Sequence, residues 1–140
     1  MTFLDVNRVV ILLNILIPLF LGGGLYIFTS SDVLFVRFIT SCMGGTKITV
    51  HCDAMWYLFI RNYLADILWG YSFVFAICLS ADITATWKIF LLAFAFSVFV
   101  EMLQIQERVL GTFDFFDITV EGAAEIIAVM ILKNMRRRQK

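Results

Sequence analysis

Histidine occurs once in this chain, at position 51, and cysteine three times, at 42, 52 and 78. Such scarcity argues against zinc, whose sites draw on clustered His and Cys ligands. There is no Ser-His-Asp pattern, no phosphate-cradling glycine loop and no HExxH, so a hydrolase would have to work with carboxylates alone. Proline also occurs once, at Pro18, and no repeat or low-complexity tract divides the 140 residues, which leaves a single domain over 1–140. Charged residues are only 16% of the chain, against about 25% in soluble domains. Their signs balance at a formal net charge of zero, and the one basic cluster is a short tail beside an apolar helix. A nucleic-acid binder presents a basic folded face instead, so no nucleic-acid partner is expected.

The most telling lack is of uncharged length. Hydrophobic residues make up 61% of the chain and mean hydropathy is +0.92, yet three of the four apolar segments are short. Fifteen uncharged residues separate Asp66 from Asp82, twelve separate Lys88 from Glu101, and seven separate Glu125 from Lys133. A helix needs roughly 20 mostly apolar residues to span the hydrocarbon layer. Either these segments do not span, or Asp66, Glu101, Glu121 and Glu125 enter the membrane. An ionisable residue at that depth is by default a functional-site hypothesis.

The expected fold is all-α: an integral membrane four-helix bundle, with helices at about 9–28, 62–80, 85–106 and 117–135. The first apolar stretch, Val9–Ser31, is longer than the core of a signal peptide and lacks a clean small-x-small cleavage site, so it reads as a retained helix. Asn14 and Pro18 interrupt that helix, and Gly22-Gly23-Gly24 loosens its end. The connection 31–62 is expected to lie on the membrane surface. Gly44-Gly45 marks a turn there, Thr46–Cys52 has the β-branched content of a short strand, and Asp53 heads a short helix rich in interfacial Trp and Tyr. A disulfide between Cys42 and Cys52 is chemically permitted, although free thiols are the simpler expectation. Ala93 and Ala95, and Gly122, Ala124 and Ala128, are small enough for close helix contact.

Orientation follows from Lys and Arg. The tail carries Lys133, Arg136, Arg137, Arg138 and Lys140 and is expected on the cytoplasmic side. Four spans then place both termini in the cytoplasm, with seven basic residues inside and four outside. In that arrangement every intramembrane carboxylate falls in the outer half. Asp114, Asp117, Glu121 and Glu125 are spaced by 3, 4 and 4, which on a helix makes one stripe. Glu101, Gln104 and Arg108, spaced by 3 and 4, form a second stripe, and Arg61 and Asp66 complete the cluster from helix two.

Like charges four residues apart repel. The cluster therefore needs protons, a cation or basic partners, and either Glu101 or Glu125 is expected to be protonated at neutral pH. An oxygen-only set would suit Ca²⁺ or Mg²⁺, but no resident metal or cofactor is expected. Blander readings stand beside these. Asp114 can simply N-cap helix four, with Asp117 complementing its dipole. Arg61 can be an interfacial anchor, and Lys88 can reach the inner interface along its own stem. Helix four itself can lie flat with its acids in water.

Glu101-x-x-Gln104, followed by Gly111-x-x-Asp114-x-x-Asp117 at the head of a final apolar helix, resembles the VanZ-like family of small bacterial membrane proteins. Arg61-Asn62-Tyr63-Leu64-x-Asp66-x-Leu68-Trp69 is similar to the opening of that family's second helix. The resemblance covers roughly Arg61–Met135. It departs at Thr112, where the family usually has Arg, at Glu121, where it often has Asn, and at Ala124, where it often has Gly. What it implies is a multi-pass protein of the bacterial cell membrane and an association with low-level teicoplanin-type glycopeptide resistance, without a settled enzyme activity. The expected partners are membrane lipids, lipid-linked or amphiphilic envelope molecules, and another envelope protein. The alternatives are a proton- or cation-coupled transporter subunit and a non-catalytic partner of a larger envelope complex.

Overall fold

The computed structural model describes residues 3–29, 41, 55–81, 83, 85–105 and 113–138. Four helices carry nearly all of them: α1 (Phe3–Thr29), α2 (Met55–Ser80), α3 (Thr86–Ile105) and α4 (Phe115–Arg137). Among the described residues there is no strand. The expected strand at 46–52, His51, Cys42, Cys52 and Asp53 lie outside the described residues.

Helix α2 is longer than its expected bounds of 62–80. The short aromatic helix Met55–Phe59 runs without a break into a π-helical turn, Ile60–Leu64, and on into Ala65–Ser80. Periodicity gives no sign of this, because Arg61-Asn62 looks like a polar break between two helices. The other helices begin and end near their expected bounds, and α1 gains six residues at its N-terminal end.

Three pairs of contacts give the topology. Tyr71 meets Asn14, while Gly22 faces Ala65 and Leu68, so α1 runs antiparallel to α2. Tyr63 meets Asp114, Gly70 meets Glu121 and Cys78 meets Arg136, so α2 and α4 are parallel. Ser97 meets Glu125, and Glu101 meets Asp114, across an antiparallel α3–α4 pair. The order is up-down-up-down, with α2 packed against all three other helices.

Val74, Phe75 and Ile77 of α2, Ile89 and Ala93 of α3, and Ala128 and Leu132 of α4 form the core. Ala93, Gly122, Ala124 and Ala128 are buried as their size suggests, but Ala95 is exposed and makes no close helix contact. The outer faces are apolar: Leu16, Ile17, Phe20, Leu91, Phe99, Ile127 and Met130 are all exposed. Helices α1 (over Arg8–Leu25), α2 and α3 are long and apolar enough to cross a membrane.

The two ends of the bundle differ in charge. Asp66 opens the straight part of α2, Glu101 lies near the end of α3, and Asp114 and Asp117 begin α4. At the opposite end, Arg136 donates to the Ile83 carbonyl at 3.0 Å and to Cys78 Sγ at 3.3 Å, tying α4 to the short α2–α3 connection. Lys88, Lys133, Arg137 and Arg138 are exposed at that end, and Lys88 Nζ lies 5.7 Å from the Trp87 ring centre.

Candidate functional site: a buried carboxylate stripe on α4

Helix α4 starts where Asp114 leaves extended backbone (φ −134°, ψ 120°). Asp114 Oδ1 accepts from the Phe116 amide at 2.9 Å, which is the geometry of an N-cap. The capping expectation therefore holds, and Asp114 precedes the helix rather than joining its stripe. Its other oxygen, Oδ2, accepts from the Tyr63 hydroxyl at 3.3 Å. The Asp114 amide in turn donates to Glu101 Oε2 at 3.3 Å. One residue thus joins the π turn of α2, the end of α3 and the start of α4.

Below this cap the acids go progressively deeper. Asp117 is half-buried, Glu121 is 8% exposed and Glu125 is fully enclosed at 0%. From Asp114 to Glu125 the helix descends about 16 Å at about 1.5 Å per residue. Small residues make the burial possible. A Cβ on Gly70 would sit 3.3 Å from the Glu121 Cα and carbonyl oxygen, so α2 presses backbone on backbone at that level. A Cβ on Gly122 would sit 3.0 Å from the Phe94 ring. Ala124 and Ala128 face inward on the same stretch of helix. A helix lying flat with its acids in water does not account for this enclosure.

The Ser97 hydroxyl donates to Glu125 Oε1 at 3.0 Å. Glu125 Oε2 is buried and has no hydrogen-bond partner. Glu121, one turn before Glu125, lies within electrostatic reach of Glu125, Glu101 and Asp117. Beneath Glu125 the stripe closes on Ala128 and Leu132, both essentially unexposed.

Of the residues expected to form a site, Glu101, Asp114, Asp117, Glu121 and Glu125 come together on α3 and α4. Asp66 and Gln104 are half-buried at the same end of the bundle, each with interaction partners of its own. The backbone of Arg61 is part of the π turn, but its side chain lies outside the described residues, as does Arg108. Among the described residues, no three His, Cys, Asp or Glu side chains are grouped to hold a metal ion.

The sequence reading missed Ser97 and Gly70. Ser97 has a legible signal: it is the only hydroxyl in the apolar run Ile89–Val100 of α3. Gly70 sits four residues after Asp66 on what becomes the α4-facing side of α2, and nothing in a single sequence marks that facing. Beside the stripe, Phe90, Phe94, Phe115, Ile118, Gly122 and Ile126 border an open apolar groove of about 390 Å³ between α3 and α4. No family model, curated protein or solved structure matches this chain.

Proposed function

We propose that this chain is a VanZ-like multi-pass protein of the bacterial cell membrane. Its carboxylate-rich end opens to the outer leaflet and engages the polar heads of lipid-linked or amphiphilic envelope molecules. The observation that carries the reading is the enclosure of Glu121 and Glu125 inside a bundle whose outer faces are apolar. Acids taken out of water at such depth are costly, and they persist where they serve a site. The apolar groove alongside, reached from the same end of α4, suits the hydrocarbon part of an amphiphile. Helix α4 completes the fourth span, with its acids turned to protein and Ile126, Ile127 and Met130 turned to lipid.

Both termini are then cytoplasmic, with the exposed basic residues at the α4 C-terminus facing the inner leaflet. Teicoplanin-type resistance is the cellular role that the family resemblance suggests. The alternative of a non-catalytic envelope partner is favoured by α1, which packs chiefly on α2 and leaves most of its surface to other contacts.

Two measurements test the proposal. A cysteine introduced at position 115 should react with an impermeant reagent from outside the cell, and labelling from the cytoplasm alone would overturn the arrangement. Purified protein in neutral-lipid nanodiscs should bind a lipid-linked envelope saccharide, and Glu101→Ala or Asp117→Ala should weaken that binding at least tenfold. Full binding by both variants would remove the carboxylates from the function. Co-purification of a second chain, without lipid binding, would favour the partner reading.

A further inference from the structure

Ser97 has a single hydroxyl proton and two carboxyl neighbours. A serine donates one hydrogen bond and accepts through its lone pairs. In the structure that proton points to Glu125 Oε1. A second bond from Ser97 to Glu121, the preceding acid of the stripe, forms only if Glu121 is the donor and so carries a proton. If the serine turns to Glu121, Glu125 must be the donor instead. In either arrangement two carboxyls and one hydroxyl are satisfied only with one added proton. The bare, buried Oε2 of Glu125 points the same way, because an ionised carboxylate holding one hydrogen bond in an enclosed site is strongly disfavoured.

We propose that Glu121 and Glu125, with Ser97 between them, form a carboxyl pair that binds one exchangeable proton taken up from the Asp117 end of the bundle. The inference rests on the membrane reading above and names the ligand at the deep end of that same site. Two carboxylates and a hydroxyl fall well short of the six to eight oxygens that calcium takes, whereas a proton needs no more than this pair. The groups facing the pair are few. Helix α3 contributes Ser97 and, one turn further out, Glu101; α4 contributes Asp117; α2 contributes Gly70 and Val74, with Asp66 nearer the opening. Lys133 and Arg136 lie two turns or more beyond Glu125, past Ala128 and Leu132.

Transfer within the pair is balanced. The Glu121 carboxylic acid gives its proton to Ser97 Oγ as the Ser97 hydroxyl proton passes to Glu125 Oε1. Glu121 is left as a carboxylate and Glu125 as the acid, so the pair still holds one proton; the reverse transfer returns it to Glu121, which exchanges it with water at the opening by way of Asp117. Loading is one-sided, because the stripe ends on Ala128 and Leu132.

Infrared spectroscopy of the full chain in lipid vesicles tests the pair. A protonated-carboxyl C=O band is expected at pH 7, with a downshift in D₂O. It should change in Glu125→Gln, which keeps the side-chain shape, and in Ser97→Ala, which removes only the shared hydroxyl, and be lost when Glu121 and Glu125 are both replaced by Gln. Absence of the band from the native chain, or an unchanged band in both single variants, would overturn the proposal. In oriented vesicles the band should titrate with the pH on the side of residue 115, and titration with the opposite side alone would overturn one-sided loading. The membrane reading fails separately, if alkaline washing strips the chain from its vesicles while the band persists.

Discussion

Helices α1 and α4 both pack along α2, yet they meet it in different ways. Helix α1 shows lipid-like residues almost all round and meets α2 along one face that includes Asn14, Pro18 and Gly22. Helix α4 carries three acids within nine residues and hides two of them, which it can do only because glycine and alanine let α2 and α3 close over it. One helix suits an apolar solvent by composition, the other by packing. The difference teaches where tolerance to change should lie: α1 should resist new charge and accept new bulk, and α4 the reverse.

The largest expected effect is steric. Gly70→Leu should destabilise the bundle by roughly 3 kcal/mol or more, at the upper end of what overpacking costs, since even a Cβ there meets Glu121 backbone at 3.3 Å. Gly23→Leu on α1 meets nothing within 4 Å and should be neutral or slightly stabilising through helix propensity. Thermal melts of the two variants in the same detergent make the comparison directly, and equal losses would break it.

Charge gives the converse. Ile17→Asp on the exposed face of α1 should disfavour membrane insertion by about 3–4 kcal/mol, read as the fraction of chains inserted in a translation assay. Glu121→Asp on α4 replaces one enclosed acid by another and should change insertion far less, since no charge is added. A similar loss in both would mean that packing does not shelter the α4 stripe.

That asymmetry also marks how far the sequence could be read. The spacing of Asp117, Glu121 and Glu125 places them on one face, and the charge pattern sends them to one end of the bundle, because both depend on local periodicity and on chain order. The capping role of Asp114 is equally local. What resisted reading is relational. The fusion of Met55–Phe59 with the rest of α2 depends on a π turn that has no signature in hydropathy. The closeness of Gly70 to Glu121 depends on which faces two helices choose. Ala95 looks as suitable for close contact as Ala93, yet the two lie two residues apart on a helix and so point to different sides, of which only one meets a neighbour.

Where α4 begins, the effect should be moderate. Asp114→Ala removes the cap on Phe116 and the acceptor of the Tyr63 hydroxyl, and should cost about 1 kcal/mol. Asp114→Asn retains a capping oxygen and should recover most of the loss. If Ala and Asn are equally damaging in chemical denaturation, the charge of Asp114 matters more than its cap, and the α4 N-terminus belongs to the carboxylate site rather than to the scaffold.

The smallest effect is expected where a side-chain hydrogen bond joins α1 to α2. The Tyr71 hydroxyl donates to Asn14 Oδ1 at 2.5 Å, and Asn14 Nδ2 donates back to the Val10 carbonyl at 2.8 Å. In water an interhelical pair of this kind would compete with solvent. In lipid it has no such competitor, but measured hydrogen bonds between membrane helices still average only about 0.6 kcal/mol, because the separated helices find other partners. Asn14→Leu should therefore lower stability by about 0.6 kcal/mol, and Tyr71→Phe by a similar amount. The double variant should be little worse than either single one, since each substitution removes the same bond. Additive losses would mean that the two side chains act independently. In that case α1 is held by the shape of Pro18 and Gly22 against α2, and the polar pair has no part in docking it.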